Sequence, residues 1–171
     1  NADMGSRDFL RKAAVTPLCE HYTVAGAVCS LSTNSEQVLE AARASLMCVE
    51  QLPGPVDFSM RFWVDDAEQT RAPWSSPYVR GLDHLVFAGF DERSSILVDL
   101  RSRRVIGRFS AALAGDCAYW RSVVFPILLS ILAGSIGLVE LHASCIARDQ
   151  RGLVLIGPSR SGKSTLALAL T

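Results

Sequence analysis

Eight residues near the carboxyl end of the chain have the types and the spacing of a phosphate-binding loop. They are Gly157, Pro158, Ser159, Arg160, Ser161, Gly162, Lys163 and Ser164. This order fits the pattern of a glycine, four residues, and then Gly-Lys-Ser. In loops of this kind the glycines let backbone N–H groups approach phosphate oxygens closely. The lysine ammonium serves the β- and γ-phosphates, and the hydroxyl that follows it can ligate Mg²⁺.

The flanking sequence places this loop between a strand and a helix. The apolar run 153–156 predicts a buried strand, and the run 165–170 predicts a helix that begins near Lys163 and points its positive end at an anion. We therefore predict that ATP binds here, with Mg²⁺ on Ser164. A Gly- and Ser-containing turn without a ligand is the alternative. The predicted nucleotide contacts are Gly157, Ser159, Arg160, Ser161, Gly162, Lys163, Ser164 and Thr165.

Few other residues have a spacing that suggests chemistry. His142 lies fifteen residues before Gly157, and we place it on the preceding strand of a hairpin, from which it could exchange a proton near the phosphates. A histidine satisfied within the core is the alternative. Asp65 and Asp66 are adjacent, so on an extended chain they point to opposite faces and suit a solvated loop better than an acid–base pair. His84 has no evident partner.

Composition restricts the class of protein. The 171 residues suffice for one ordinary domain or two small ones, and 49% are hydrophobic, which excludes a disordered chain. Lys plus Arg and Asp plus Glu both number 17, and this balance argues against nucleic acid as the main partner. None of the five cysteines forms a C-x-x-C pair, so zinc is not indicated. We expect reduced cysteines packed in the core of a cytoplasmic protein.

The uncharged stretch 122–139 is long enough to resemble a membrane span. It contains Pro126, Gly134 and Gly137, and we favour a buried core helix over a membrane helix. The first two residues, Asn1 and Ala2, resemble the remnant of an expression tag, so residues 1–6 are treated as a lead-in.

Patterns of hydrophobicity predict an α/β protein. Its amino-terminal part, 7–111, is expected to be an α+β domain with antiparallel strands, and 112–171 to hold the first strands and the loop of a P-loop domain. Pro126 is expected to kink the helix. The predicted strands are 22–31, 56–64, 84–90, 95–100, 105–109, 138–147 and 152–156, and the predicted helices are 35–50 and 112–135.

The carboxyl-terminal part resembles a known family. Residues 140–145 and 152–170 are similar to the start of the catalytic domain of HPr kinase/phosphorylase, and more closely to the HPr-kinase-related proteins of bacterial peptide-modification clusters. The shared features are Leu141-His142 on one strand, a hairpin, and a second strand that opens into Gly-x-Ser-x-x-Gly-Lys-Ser. The resemblance covers about thirty residues.

The resemblance implies a kinase with a phosphoenolpyruvate-carboxykinase-like P-loop fold. Such an enzyme transfers the γ-phosphate of ATP, with Mg²⁺, to a serine hydroxyl of a protein or peptide. The family's histidine that matches His142 lies near the phosphates. A homo-oligomer is compatible with this family, and neither nucleic acid nor a membrane is an expected partner.

The chain departs from the family pattern at two positions. Arg160 and Ala143 stand where the family has glycine. If residue 160 needs a positive φ, an arginine there costs about 1–2 kcal/mol. We also expect the family's catalytic carboxylates to follow the loop beyond residue 171, so that this chain alone is inactive.

Two other functions fit the sequence. One is a non-catalytic module that binds a peptide or a partner protein. The other is a generic P-loop ATPase, because Gly-Lys-Ser-Thr-Leu at 162–166 is also typical of that class.

Overall fold

The computed structural model describes residues 15–24, 26–49, 54–65, 76–139 and 141–170. The strands are β1 (Leu18–Val24), β2 (Ala27–Thr33), β3 (Met47–Cys48), β4 (Phe58–Asp65), β5 (Tyr78–Leu82), β6 (Leu85–Gly89), β7 (Ser95–Asp99), β8 (Arg104–Ser110), β9 (Ala143–Arg148) and β10 (Arg151–Ile156). The helices are α1 (Glu36–Arg43), α2 (Ala111–Ala114), α3 (Cys117–Tyr119), α4 (Phe125–Ser135) and α5 (Lys163–Ala169), and a π-helical turn spans Trp120–Val124. The predicted mixed α/β class is confirmed.

Eight strands form one sheet in the order β3-β1-β2-β4-β8-β7-β6-β5. The pairs β2–β4 and β4–β8 are parallel, and every other pair in this sheet is antiparallel. The predicted strands 84–90, 95–100 and 105–109 correspond to β6, β7 and β8, which form an antiparallel meander. Strands β9 and β10 form a separate two-stranded sheet.

The first predicted strand, 22–31, is wrong, because the chain reverses within it. Val24 pairs with Ala27 at the end of the β1–β2 hairpin, and Gly26 in the turn has a φ of 87°. A positive φ at this position suits glycine, which has no Cβ to clash. The apolar and β-branched residues that suggested one strand therefore belong to two neighbouring strands that pair with each other.

Helix α1 is shorter than the predicted helix 35–50. It ends at Arg43, and β3 follows, where Cys48 pairs with Tyr22 of β1. Its buried face consists of Val38, Leu39, Ala41 and Ala42. Strand pairing across the sheet thus overrides the helical periodicity that continues in the sequence beyond Arg43.

The core joins this sheet to the helices that follow it. Phe62 of β4, Phe109 of β8 and Trp120 are fully buried, and the ring centroids of Phe109 and Trp120 lie 4.5 Å apart. The indole Nε1 of Trp120 donates to the carbonyl of Leu113 at 2.9 Å. Side chains on both sides of the predicted boundary at 111/112 therefore pack together, and the division into domains there stays a prediction.

The predicted helix 112–135 is interrupted rather than continuous. The break lies at Gly115 and Asp116, and the Asp116 carboxylate accepts a hydrogen bond from the Tyr119 amide at 2.9 Å to begin a new helix. Pro126 instead lies in the first turn of α4, directly after the π-helical turn. Proline has no N–H to donate to the carbonyl of Ser122, so α-helical bonding cannot continue across this point.

By length and composition alone, the described part of the chain contains one helix that could cross a membrane, Cys117–Ser135. One stripe of this helix, which includes Val124, Leu128 and Leu132, packs into the core. Other residues of this helix, which include Arg121 and Ser130, are exposed.

The sequence analysis missed β5 and misjudged the cysteines. Strand β5 forms one edge of the eight-stranded sheet, and all five of its residues are exposed. Of the cysteines only Cys29 is buried, and burial raises the pKa of its thiol to about 11. The other four are exposed, which contradicts the expectation of core positions.

Candidate functional site

The β9–β10 hairpin delivers the chain to the predicted phosphate loop. Arg148 pairs with Arg151 across the two-residue turn of Asp149 and Gln150, whose φ angles are 50° and 64°. Positive φ at both central residues is typical of the tight turns that match the twist of a hairpin. At the other end of the hairpin Ile156 pairs with Ala143, and the loop begins at the next residue.

His142 lies directly before β9 rather than on it, so the prediction that it occupies a strand is wrong. Its neighbour Ala143 pairs with Ile156, which directly precedes Gly157. The hairpin therefore brings His142 to the end at which the loop begins. Its side chain is exposed, which excludes the alternative of a histidine satisfied within the core.

Two glycines give the loop its shape. Gly162 has a φ of 82° and directly precedes α5. A Cβ on Gly157 would lie 2.9 Å from the Oγ of Ser161, so a larger residue would push that hydroxyl away. The positive φ of Gly162 and the close contact at Gly157 both favour glycine, and these are the two positions at which the motif has glycine.

Arg160 also has a left-handed backbone, with a φ of 65°. The sequence analysis anticipated a cost at this position if φ were positive, and the structure has that conformation. An L residue with a side chain is disfavoured there by about 1–2 kcal/mol. The guanidinium is exposed, and it forms no ion pair with any residue that the structure describes.

Lys163 folds back over the loop. Its Nζ donates to the carbonyl oxygens of Gly157 at 2.9 Å and Pro158 at 2.7 Å. An ammonium group has three donors, so one remains for an oxygen of a ligand. The Ser161 amide donates to the carbonyl of Pro158 at 3.3 Å and closes the turn.

The remaining predicted contacts surround the start of α5. Lys163 and Ser164 open the helix, where backbone amides have no intrahelical acceptor. Ser159, Ser164 and Thr165 are exposed. Within the described ranges the Ser164 hydroxyl has no hydrogen-bond partner, so it is available to a cation.

A hollow of about 530 Å³ lies against the loop, a size in the range of ligand sites. Its lining residues are Val154, Leu155, Ile156, Gly157, Pro158, Ser161, Gly162, Lys163 and Leu166. The absence of a side chain at Gly157 leaves space for the Ser161 hydroxyl to approach the backbone, and Lys163 supplies the cation. These residues therefore fit the polyphosphate of ATP, and Ser164 fits Mg²⁺, which prefers oxygen ligands.

The hairpin and α5 bury little of their apolar surface. None of the residues of β9, β10 or α5 is classed as buried, and Ile156 and Leu168 are 71% and 79% exposed. From Gly152 to Leu170 the only charged side chains are Arg160 and Lys163. The loop therefore carries positive charge that no nearby carboxylate of this segment neutralises.

The sequence predicts a solvated loop at Asp65, whereas the structure places this residue at the end of a strand. Asp65 closes β4 and binds Arg108 of β8, with Oδ2 2.5 Å from a terminal guanidinium nitrogen. This ion pair ties two adjacent strands of the large sheet together. Asp66 lies outside the described residues.

The sequence analysis missed a charged cluster around His84. Its Nδ1 lies 2.7 Å from the carboxylate of Asp83, and its Nε2 lies 3.9 Å from Asp99. The Ser102 hydroxyl and amide donate to Asp99 and lower the pKa of that carboxyl. The adjacency of Asp83 was a visible signal, whereas Asp99 reaches His84 through the pairing of β6 with β7.

Comparison of this chain with protein-family models, curated proteins and solved structures finds no match.

Proposed function

We propose that this chain carries the ATP-binding loop of a serine kinase related to HPr kinase/phosphorylase. The observation that carries the proposal is the loop between β10 and α5. There the backbone of Gly162 has a left-handed conformation, and the Ser161 hydroxyl lies close to the backbone of Gly157. The Lys163 ammonium lies over the loop. These are the features that the Gly-Lys-Ser pattern needs in order to hold phosphates.

In this proposal each residue has a distinct role. The amides of the loop and Lys163 hold the phosphate chain, and Ser164 ligates Mg²⁺, which supplies charge neutralisation on the phosphates when bound. His142, at the loop end of the hairpin, exchanges a proton with the acceptor. The acceptor is a serine hydroxyl of a protein or peptide, and the protein acts in the cytoplasm.

Nucleotide binding is tested by titrating the chain with MgATP in a calorimeter. Lys163→Ala is expected to weaken binding by at least about 10-fold, because a charge-assisted contact to phosphate is lost. Arg151→Ala is the matched control, since it removes one positive charge from the end of the β9–β10 hairpin that lies away from the loop. Equal affinity of Lys163→Ala and the unaltered chain would contradict the proposal.

Phosphate transfer is tested with the protein as it occurs in the cell, γ-labelled MgATP and serine-containing peptides. Label on a peptide serine supports a kinase, whereas label released only as inorganic phosphate supports the generic ATPase. His142→Ala is expected to reduce transfer while leaving MgATP affinity unchanged. His84→Ala is the control, because His84 belongs to the eight-stranded sheet rather than to the hairpin.

A second function is favoured by one observation, the edge strand β5, which pairs with β6 alone among the described residues. Strand β5 is exposed along its whole length, and an exposed edge can accept an extended peptide as a further strand. Val79→Pro removes an edge N–H and is expected to weaken such binding. Unchanged peptide binding by this variant would exclude β5 as the docking strand.

A further inference from the structure

We propose that Arg160 binds the phosphate chain of the nucleotide and strengthens the hold of the loop on polyphosphates. This inference rests on the proposed nucleotide site and extends it to a second cationic contact. Arg160 belongs to the same loop as Lys163, three residues before it in sequence.

The first argument is conformational. With a φ of 65°, Arg160 occupies a backbone region that disfavours an arginine relative to glycine by about 5- to 30-fold. Glycine would satisfy this position without that cost, as Gly162 does two residues later. The turn that the Ser161 amide closes on the Pro158 carbonyl sets this conformation, so the motivation for the proposal is the presence of arginine where glycine would fit better.

The second argument is electrostatic. The guanidinium is exposed and has no ion-pair partner among the described residues, and there is no carboxylate between Gly152 and Leu170. It therefore contributes nothing visible to the packing of the hairpin or α5. Its planar set of N–H donors matches two phosphate oxygens at once, a geometry that lysine cannot reproduce.

The conformational and the electrostatic argument predict different effects of substitutions at residue 160, so different variants test them separately. Arg160→Ala keeps a side chain at the left-handed position and removes the charge. Arg160→Lys keeps both the side chain and the charge. Arg160→Gly removes the charge and also the backbone cost. Comparing the first two variants isolates the charge, and comparing the first with the third isolates the backbone.

The experiment measures the affinity of each variant for MgATP and for inorganic tripolyphosphate with Mg²⁺. Arg160→Ala is expected to bind both probes at least about 10-fold more weakly. Arg160→Lys is expected to bind both probes more tightly than Arg160→Ala but more weakly than the unaltered chain, since the charge remains and the planar pair of donors is lost. The loss in Arg160→Ala should shrink at high salt, because screening weakens an exposed charge.

Affinity for MgATP in Arg160→Ala equal to that of the unaltered chain would overturn the inference. A loss for MgATP without a loss for tripolyphosphate would also overturn it, because the contact would then be to the nucleoside. If the unaltered chain binds neither probe, and Lys163→Ala is equally inert, the proposed function fails together with this inference. Urea unfolding of Arg160→Ala should match that of the unaltered chain, since residue 160 is exposed and α5 has no buried side chain.

Discussion

Gly107→Ala is expected to destabilise the core of the eight-stranded sheet. A Cβ at this position of β8 would lie 2.7 Å from ring atoms of both Phe62 and Phe109, and 3.1 Å from a methyl group of Ile96. All three neighbours are 0–1% exposed, so none can swing into solvent. The methyl group must therefore force a shift in a close-packed region.

The magnitude follows from this geometry. Adding one methyl group to a well-packed core costs about 1–3 kcal/mol. For a chain of this length each kcal/mol lowers the melting temperature by roughly 2–4 °C. We expect Gly107→Ala to fall in this range when urea unfolding is followed by tryptophan fluorescence, to which the buried Trp120 contributes.

Two further variants make the reasoning about Gly107 refutable. Gly134→Ala in α4 has nothing within 4 Å of its new Cβ and should stabilise the protein by about 0.5–1 kcal/mol, because alanine favours helix. Phe62→Leu frees space beside Gly107, so the double variant should be less destabilised than the sum of the single variants by at least about 0.5 kcal/mol. Additive effects, or a neutral Gly107→Ala, would show that the close approach is relieved without cost.

The remaining predictions concern the loop and the amino-terminal sheet. Gly162→Ala should weaken MgATP binding by about 5- to 30-fold, because alanine is disfavoured at a φ of 82°. Urea unfolding of this variant should be unchanged, because no side chain of α5 is buried. An affinity equal to that of the unaltered chain would show that the left-handed conformation is not needed. Arg43 of α1 hydrogen-bonds to the Glu20 carboxylate of β1, and the Tyr22 hydroxyl makes a smaller contribution. Together they hold the pKa of the Glu20 carboxyl below its ordinary 4.5. This carboxylate therefore stabilises the fold above pH 4.5 and loses its contribution as the pH falls through its folded-state pKa. Glu20→Gln should lower the urea midpoint at neutral pH, and the difference should close in acid; a difference that persists in acid would assign the effect to packing instead.

The sequence predicted those parts of the fold that depend on neighbours along the chain. The meander of β6, β7 and β8 follows from alternating residues and short turns, and β4 from its own alternation. The turn at Asp149 and Gln150 lies where the polar residues between two apolar runs indicated it. The order glycine, four residues, Gly-Lys-Ser likewise predicted a strand, a loop and a helix, and β10 and α5 lie on either side of that loop.

Other features depended on contacts between distant residues and could not be derived from local patterns. The apolar run 22–31 is consistent with one strand or two, and the reversal at Gly26 is fixed by the pairing of β1 with β2. Helical periodicity in the sequence continues past Arg43, yet the helix ends there and the following residues form β3, which pairs with β1. The sequence likewise did not reveal the parallel pairs of β4, which join it to strands far apart in the chain.

At the candidate site, the sequence by itself determined which chemical groups are present, and the tertiary structure decided how they are arranged. The types and spacing of Gly157, Gly162, Lys163 and Ser164 match the pattern of a phosphate-binding loop, in which each group has a role that depends on its place in the loop. The positive φ of Arg160 and the register that pairs Ala143 with Ile156, with His142 directly before β9, emerged only in three dimensions. The physical reason is that strand register depends on which residues pair across the hairpin, and the left-handed φ depends on the turn that the Ser161 amide closes on the Pro158 carbonyl.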